Sequence, residues 1–328
     1  MNKHLHVEIK QSILCFITLI GFLLLPVDMI GQSGVSGDPE ESAVSEGDTI
    51  TVGVFKYEIL PDNKVSVVGV TNIGNACDVL PSVSYGGVDY KVTSIGDYAF
   101  EGLNIEKTSL PEGLIEIGGG AYLNCTSLKY VLMPSSLKAI GWSAFEGCTM
   151  LETVQLNEGL QVCSSGAFKD CSSLVNFYIP ASVEGMYETF EGCTSLAEIV
   201  VSDENTHYSS YAGILYDKAQ TTLLCAPSNI PGVESFPETL KTVASGAFYM
   251  CKNVVNIVLP EGVEKIEEVA FSRCSATSIT IPSTIKTLEM YVFGDSNTDK
   301  SALEKLYCHH IDPSLITIDN KTFGNIDF

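Results

Sequence analysis

Ala144-Phe145-Glu146-Gly147-Cys148-Thr149-Met150-Leu151-Glu152-Thr153-Val154-Gln155-Leu156 is the stretch that decides the fold, because the chain keeps returning to its pattern. The aromatic residue recurs at Phe100, Tyr122, Phe145, Phe168, Phe190, Phe248, Phe271 and Phe293, at intervals of 22, 23, 23, 22, 58, 23 and 22 residues. Three residues on stands a cysteine (Cys125, Cys148, Cys171, Cys193, Cys251, Cys274), and three further, or two in the last unit, an apolar residue (Leu128, Leu151, Leu174, Leu196, Val254, Ala276). An apolar-x-apolar doublet follows, as Val131/Met133, Val154/Leu156, Phe177/Ile179, Ile199/Val201, Ile257/Leu259 and Ile279/Ile281. Proline closes most units, at Pro111, Pro134, Pro180, Pro260 and Pro282. A fixed period of this length marks a repeat architecture.

Within one unit, a Leu-x-x-Ile-x-Leu segment puts alternate side chains on one face of a short strand, and proline, which cannot donate to a ladder, ends it. The Ile-Gly-x-x-Ala-Phe portion is expected to return the chain through a tight turn or short helical arc. One coil cannot bury its own apolar edge. Stacked about 4.8 Å apart through parallel pairing, neighbouring coils share a continuous core, so stability approaches a sum of coils and nearest-neighbour terms. The expected fold is a β-dominated solenoid of 22–23-residue coils.

The set Ile140-Gly141, Ala144-Phe145, Cys148, Leu151, Val154 and Leu156 resembles the leucine-rich repeat of BspA-type bacterial surface proteins, over roughly Val92 to Tyr307. The resemblance implies a secreted or surface-displayed binding protein of the adhesin kind, with no catalytic residue.

The chain ends read differently. Residues 1–32 have the form of a secretory signal peptide: Lys3 and Lys10, an apolar run from Ile13 to Leu25, then small or polar residues. That run is shorter than the roughly 20 residues needed to span a bilayer, so no membrane span is expected in the mature chain. Residues 33–47 are small and acidic and read as a flexible linker. Residues 48–91 are β-rich, with Pro61-Asp62-Asn63 as the turn of a hairpin, and are expected to form an N-terminal β cap. The solenoid is placed at 92–305. It carries an insertion at about 202–236, where Asp217-Lys218-Ala219-Gln220 between two β-rich runs suggests an internal β-hairpin. Residues 306–328 are a C-terminal segment in which the repeat pattern is incomplete.

Net charge of −22 on 328 residues argues against nucleic acid and anionic lipid surfaces as partners. Of 11 cysteines, six share one repeat position, where parallel side chains disfavour the torsion near 90° that a disulfide needs; they read as buried apolar thiols. No Cys-x-x-Cys pair is present, and Cys308-His309-His310 has no second cluster to complete a tetrahedral site. Asp295-x-Asn297-x-Asp299 lacks glycine and acid at the later positions of a calcium loop. There is no phosphate loop or nucleophile elbow. No catalytic residue, metal or cofactor is expected.

What remains is surface. Flanking the buried central position of each inner strand are Tyr130 and Leu132, Thr153 and Gln155, Asn176 and Tyr178, Glu198 and Val200, Asn256 and Val258, Ser278 and Thr280. Stacking lines these up as the concave strand face that solenoids present to partners. Tyr208, Tyr211 and Tyr216 are candidate contacts on the insertion, since tyrosine offers broad area with a polar tip. The expected function is non-enzymatic adhesion or protein–protein interaction through that face, with a protein or glycan on a host or neighbouring cell. The alternatives are an envelope scaffold and a polysaccharide-binding accessory.

Overall fold

Up to three stretches of each coil hydrogen-bond to the next, and this stitching makes the repeat a stack. The computed structural model describes residues 44–186, 188–294, 302–309, 316–319 and 321–323. The expected signal peptide, most of the linker, the 295–299 turn, His310 and much of 306–328 lie outside the described residues. Residues 43–328 form one compact unit, a β-solenoid of about ten turns with no helix among the described residues.

The first stitch is the strand after the recurring leucine. Ala76–Asp78, Lys107–Ser109, Tyr130–Leu132 and Thr153–Gln155 form one parallel ladder, Asn176–Ile179 and Glu198–Val201 a second, and Asn256–Val258, Ser278–Ile281 and Lys305–Cys308 a third. The second stitch is a two-residue strand per coil, at Glu116–Ile117, Ala139–Ile140, Val162–Cys163 and Gly185–Met186, resuming at Thr242–Val243, Lys265–Ile266 and Thr287–Leu288. The third is the turn, where the aromatic N–H donates to the following coil, as from Tyr122 to Ala144 O (2.7 Å) and Phe145 to Ala167 O (2.8 Å).

The turn corrects the expectation of a helical arc. Two residues in each turn have left-handed φ, the second before and the second after the aromatic: Ser143 and Gly147 around Phe145, Gly166 and Asp170 around Phe168, Val269 and Arg273 around Phe271. A right-handed helix excludes that conformation. The recurring Gly, Asn and Asp at these places meet a backbone requirement.

Inside the stack the aromatic residues form a file. Tyr122 stacks on Phe145 at 5.0 Å and Phe145 on Phe168 at 5.4 Å, both within 7° of parallel; Phe248, Phe271, Phe293 and Phe323 continue it beyond the insertion. Phe177 interrupts the file, its ring lying 5.2 Å from Phe168 and 4.7 Å from Phe190. The first inner ladder ends at Thr153–Gln155, just before Phe177 occupies the site held by Val131 and Val154 in the preceding coils, so the bulkier wedge coincides with the break.

One position in the file is polar, and its partner is too. Tyr122 Oη lies 3.1 Å from Thr108 Oγ1, both residues buried. Thr108→Val orphans the tyrosine hydroxyl and should cost roughly 1–3 kcal/mol. The double variant Thr108→Val/Tyr122→Phe removes both partners and should recover most of that loss. A double-mutant cycle by urea denaturation reads the coupling, and additive losses would contradict the pairing.

All ten described cysteines are free thiols. In the ladder before the insertion each Sγ donates to the carbonyl of the aromatic one coil back, as Cys125 to Phe100 O (3.0 Å) and Cys148 to Tyr122 O (3.2 Å), while Cys251 donates to Ala226 O (3.6 Å). Burial pushes the Cys125, Cys77 and Cys163 thiols up to about 12. These groups pack and do not react.

The loops after the inner strands alternate between an acidic and a hydroxyl-bearing type. Glu112 accepts from Ser135 N (3.0 Å) and Oγ (2.9 Å), and Glu261 accepts from Ser283 N (3.2 Å) and Oγ (2.8 Å). Those bonds hold both carboxyls below the usual range. A depressed carboxylate pKa adds stability above the unfolded value, near 4.5, and that stability is lost as pH falls through the folded value. Thermal unfolding followed from pH 6 to pH 3 should fall less steeply for Glu112→Gln/Glu261→Gln than for the parent chain. Parallel curves would show that these loops contribute nothing to acid lability.

The cap and the insertion are both hairpin-built. Thr49–Val52, Phe55–Leu60 and Lys64–Val70 form an antiparallel meander whose last strand pairs parallel with Val88–Ile95, the strand leading into the coils. The expected hairpin turn at Pro61-Asp62-Asn63 is preceded by a second turn at Gly53-Val54. In the insertion, Tyr208–Tyr211, Ile214–Asp217 and Thr222–Cys225 are consecutive antiparallel strands, and the last pairs with Thr242–Val243 to restart the ladder. The first two of these strands are joined by a turn at Ala212-Gly213, both with positive φ, which suits a two-residue hairpin.

Candidate functional site

Successive side chains of a strand point to opposite faces, so each inner strand buries its middle residue and exposes two flanks. Val131, Val154, Phe177, Ile199, Ile257 and Ile279 are buried, while all twelve flanking positions are exposed or half-buried. Pairing sets them side by side: Tyr130 by Thr153 and Leu132 by Gln155, Asn176 by Glu198 and Tyr178 by Val200, Asn256 by Ser278 and Val258 by Thr280. Two rows result. Their apolar members are well exposed, Tyr130 at 46 %, Tyr178 at 42 %, Leu132 at 43 % and Val258 at 63 %.

The rows run further than the sequence suggested. Lys107 and Ser109 extend them before Tyr130, and Lys305 and Tyr307 after Ser278 and Thr280. Lys107 was hidden because its strand carries Thr108 where the other coils carry an apolar residue; the signal was the Leu110-Pro111 that closes the unit. At the same margin Glu106 is held below the usual carboxylate range by the Asn75 amide and by Lys129, whose Nζ lies 3.2 Å away.

The insertion meets this face at its centre. Main-chain N–H groups of Ile199 and Val201 donate to Gly213 O (2.9 Å) and Ser210 Oγ (3.1 Å), so the hairpin tip caps the trailing edge of Glu198–Val201. Of the three expected tyrosine contacts only Tyr211 is exposed, its hydroxyl 3.1 Å from Ser235 Oγ. Tyr208 and Tyr216 are buried and are removed from the contact surface. Tyr208, three residues from Tyr211 on one strand, points to the opposite face, Tyr216 follows the turn at Ala212-Gly213, and Tyr208 Oη accepts from Met186 N at 2.9 Å.

A second aromatic feature lies on the turn side. Tyr98 and Trp142, each nearly half exposed, meet edge to face at 5.4 Å. A Cβ at Gly119 would fall 2.3 Å from the indole, and one at Gly120 would fall 2.6 Å from the Tyr98 ring. The glycines of 118–120 therefore seat two rings contributed by the coils on either side. The only tryptophan of the chain, next to Gly141, was the available signal.

Among the described residues no group of three His, Cys, Asp or Glu side chains can hold a metal ion, and no helix is long and apolar enough to cross a membrane. The site can bind by surface complementarity.

Repeated coils with this face define a class, the leucine-rich-repeat solenoids. The profile described as BspA type leucine rich repeat region matches residues 93–213 and 229–327 in six copies, and the chain belongs to that family. Among solved structures, the pneumococcal vaccine antigen PcpA is 22 % identical over 80 % of this chain and 78 % of that one, with a TM-score of 0.66. A leucine-rich repeat protein of Bacteroides ovatus is 22 % identical over 82 % and 78 %, TM-score 0.54. One of Eubacterium ventriosum is 16 % identical over 86 % and 96 %, TM-score 0.50. These likenesses concern the fold. No curated protein matches.

Proposed function

We propose that the protein is a non-enzymatic, exported binding protein that acts in adhesion or protein–protein interaction through the strand face. The observation that carries this reading is the pair of rows built from three in-register ladders, Lys107 to Gln155, Asn176 to Val200 and Asn256 to Tyr307, with apolar and aromatic members left open to solvent. Exposed apolar area arranged in rows, with polar residues between, is the composition of an interaction surface. Membership of a family of surface repeat proteins supports the same direction. The apolar run of residues 13–25 supports export. The partner in this reading is a protein or glycan of a host or neighbouring cell.

The test uses immobilised chain and the double variant Tyr130→Ala/Tyr178→Ala, which removes two exposed rings without opening the core. Attachment of cells or of matrix proteins and glycans should weaken by about tenfold or more, as expected for aromatic anchors, with the melting temperature unchanged. Undiminished attachment would refute the face; altered envelope integrity in its place would favour the scaffold.

A further inference from the structure

The turns of the first coils hold a corner of two open rings that the repeat itself does not call for. Three residues before the core aromatic, most coils place a small or polar residue, such as Asp97, Gly119, Ser165, Ser245 and Glu268. Trp142 departs from that pattern, and its indole keeps nearly half of its surface in solvent beside the equally open Tyr98. Between the two lies Gly118-Gly119-Gly120, a buried main-chain floor with no side chain to cover either ring. The rings meet at 5.4 Å and 75°, so one stands as a wall to the other. Asp97 sits at the foot of this corner. Its Oδ1 accepts from Gly119 N at 2.7 Å, which fixes the carboxylate beside the residue on which the indole rests. Neither Asp97 Oδ2 nor Trp142 Nε1 has a hydrogen-bond partner among the described residues. The lysines of the adjoining coils are engaged elsewhere: Lys138 Nζ lies 3.1 Å from a Cβ built at Gly159, and Lys169 pairs with Glu191 at 3.0 Å.

We infer that this corner binds a neutral sugar residue of a glycan, which stacks the C–H face of its ring on the indole and donates a hydroxyl to Asp97. A carboxylate acceptor and an indole donor, both bordering Gly119 beside open aromatic surface, suit a ligand that is apolar on one face and hydroxylated at its rim. A pyranose has that form, and tryptophan and tyrosine offer it an apolar body with a polar tip. A cationic group would use the ring faces and the carboxylate, but the indole N–H would oppose it. An acidic sugar is disfavoured by Asp97 and by the net charge of −22. A protein partner is disfavoured by size, because two rings around a glycine floor fall far short of the roughly 1,000 Å² that a specific protein interface buries. The corner lies in the turns and shares no residue with the strand face, so it is a second contact that stands or falls separately from that surface.

The single tryptophan makes the site its own reporter. The full chain is titrated with neutral oligosaccharides of glucose, mannose, galactose and N-acetylglucosamine. Its fluorescence should shift saturably with at least one of them at about millimolar concentration, the range of weak recognition. Tyr98→Ala should weaken that response about tenfold, as for the loss of an aromatic anchor. Asp97→Asn keeps an acceptor for Gly119 N and should weaken it about fivefold, the difference between a charge-assisted and a neutral hydrogen bond. Trp142→Ala, followed by retardation in native gels containing the responding sugar as its polysaccharide, should abolish binding. Tyr130→Ala/Tyr178→Ala should leave the titration unchanged. No shift with any of the four sugars, an undiminished response in Tyr98→Ala, or a larger response to tetramethylammonium than to any sugar would each overturn the inference. Loss of the response in Tyr130→Ala/Tyr178→Ala would overturn it too, by moving the sugar to the strand face. The strand-face reading itself fails only if that double variant has no effect on attachment. Should Trp142→Ala unfold, Tyr98→Ala and Asp97→Asn decide.

Discussion

Gly141→Ala is expected to destabilise the chain by about 3 kcal/mol, at the upper end of the range for overpacking, with a fall in melting temperature of roughly 10 °C. The cause is main-chain crowding between coils. A Cβ at Gly141 would lie 2.5 Å from Gly119 N, 2.6 Å from Gly118 C and 2.9 Å from Gly118 O. Backbone atoms cannot rotate away as a side-chain tip can. The coils would have to part, and Gly141 N to Ile117 O, a 2.7 Å bond of the second stitch, would lengthen. Gly74→Ala is the matched control, because nothing lies within 4 Å of its Cβ and its φ is ordinary; it should stay within about 0.5 kcal/mol of the parent chain. Urea unfolding of the two variants side by side makes the comparison, and equal stabilities would show that the coils do not approach so closely.

Gly141 also shows where the sequence could and could not be read. Its place after Ile140 was visible as part of the repeat, but the same place holds Ser164 one coil later. The repeat therefore tolerates a side chain there, and the demand for glycine comes from Gly118-Gly119-Gly120 in the coil before, packed under Trp142 and Tyr98. That demand is tertiary: Ile95-Gly96, Ile117-Gly118 and Ile140-Gly141 recur and the pattern lapses at Ser164, so the period alone does not say which of these glycines is required. By contrast Phe145, Cys148, Leu151 and Val154 recur because every coil imposes the same burial on them, and periodic burial is what a sequence displays most clearly. The face was legible for the same reason: once Val131 and Val154 are assigned inward, alternation places their neighbours outward. Tyr208 faces inward because it stands three residues from exposed Tyr211 on one strand, which puts the two on opposite faces, and Tyr216 lies beyond the two-residue turn at Ala212-Gly213. Asn-Gly or Asp-Gly would have announced that turn, and Ala-Gly did not.

The other large expected effect concerns Phe145→Ala and Phe271→Ala, each of which should cost about 4 kcal/mol in its own part of the stack, as is usual for deleting a buried aromatic ring. The buried apolar residues fall into two clusters. One runs from Ile50 to Leu215 and the other from Ile214 to Phe293, so the boundary falls within a single strand of the insertion. Along Ile214–Asp217, Leu215 belongs to the first core while Ile214 and Tyr216 belong to the second. Alternation, which elsewhere divides core from solvent, here divides one core from another, and the strand acts as a septum. The sheets divide at the same place, one series of ladders ending with Gly185–Met186 and Glu198–Val201 and the next starting with the insertion strands. Because coupling in a stack passes only between neighbours, damage on one side should cross the septum weakly. Phe145→Ala should therefore raise amide exchange throughout the coils around Tyr122 and Phe168 while Val243 and Ile266 stay protected, and Phe271→Ala should give the converse. Calorimetry should resolve two transitions, each variant lowering one. A single transition lowered equally by both variants would mean that the insertion transmits cooperativity instead of interrupting it.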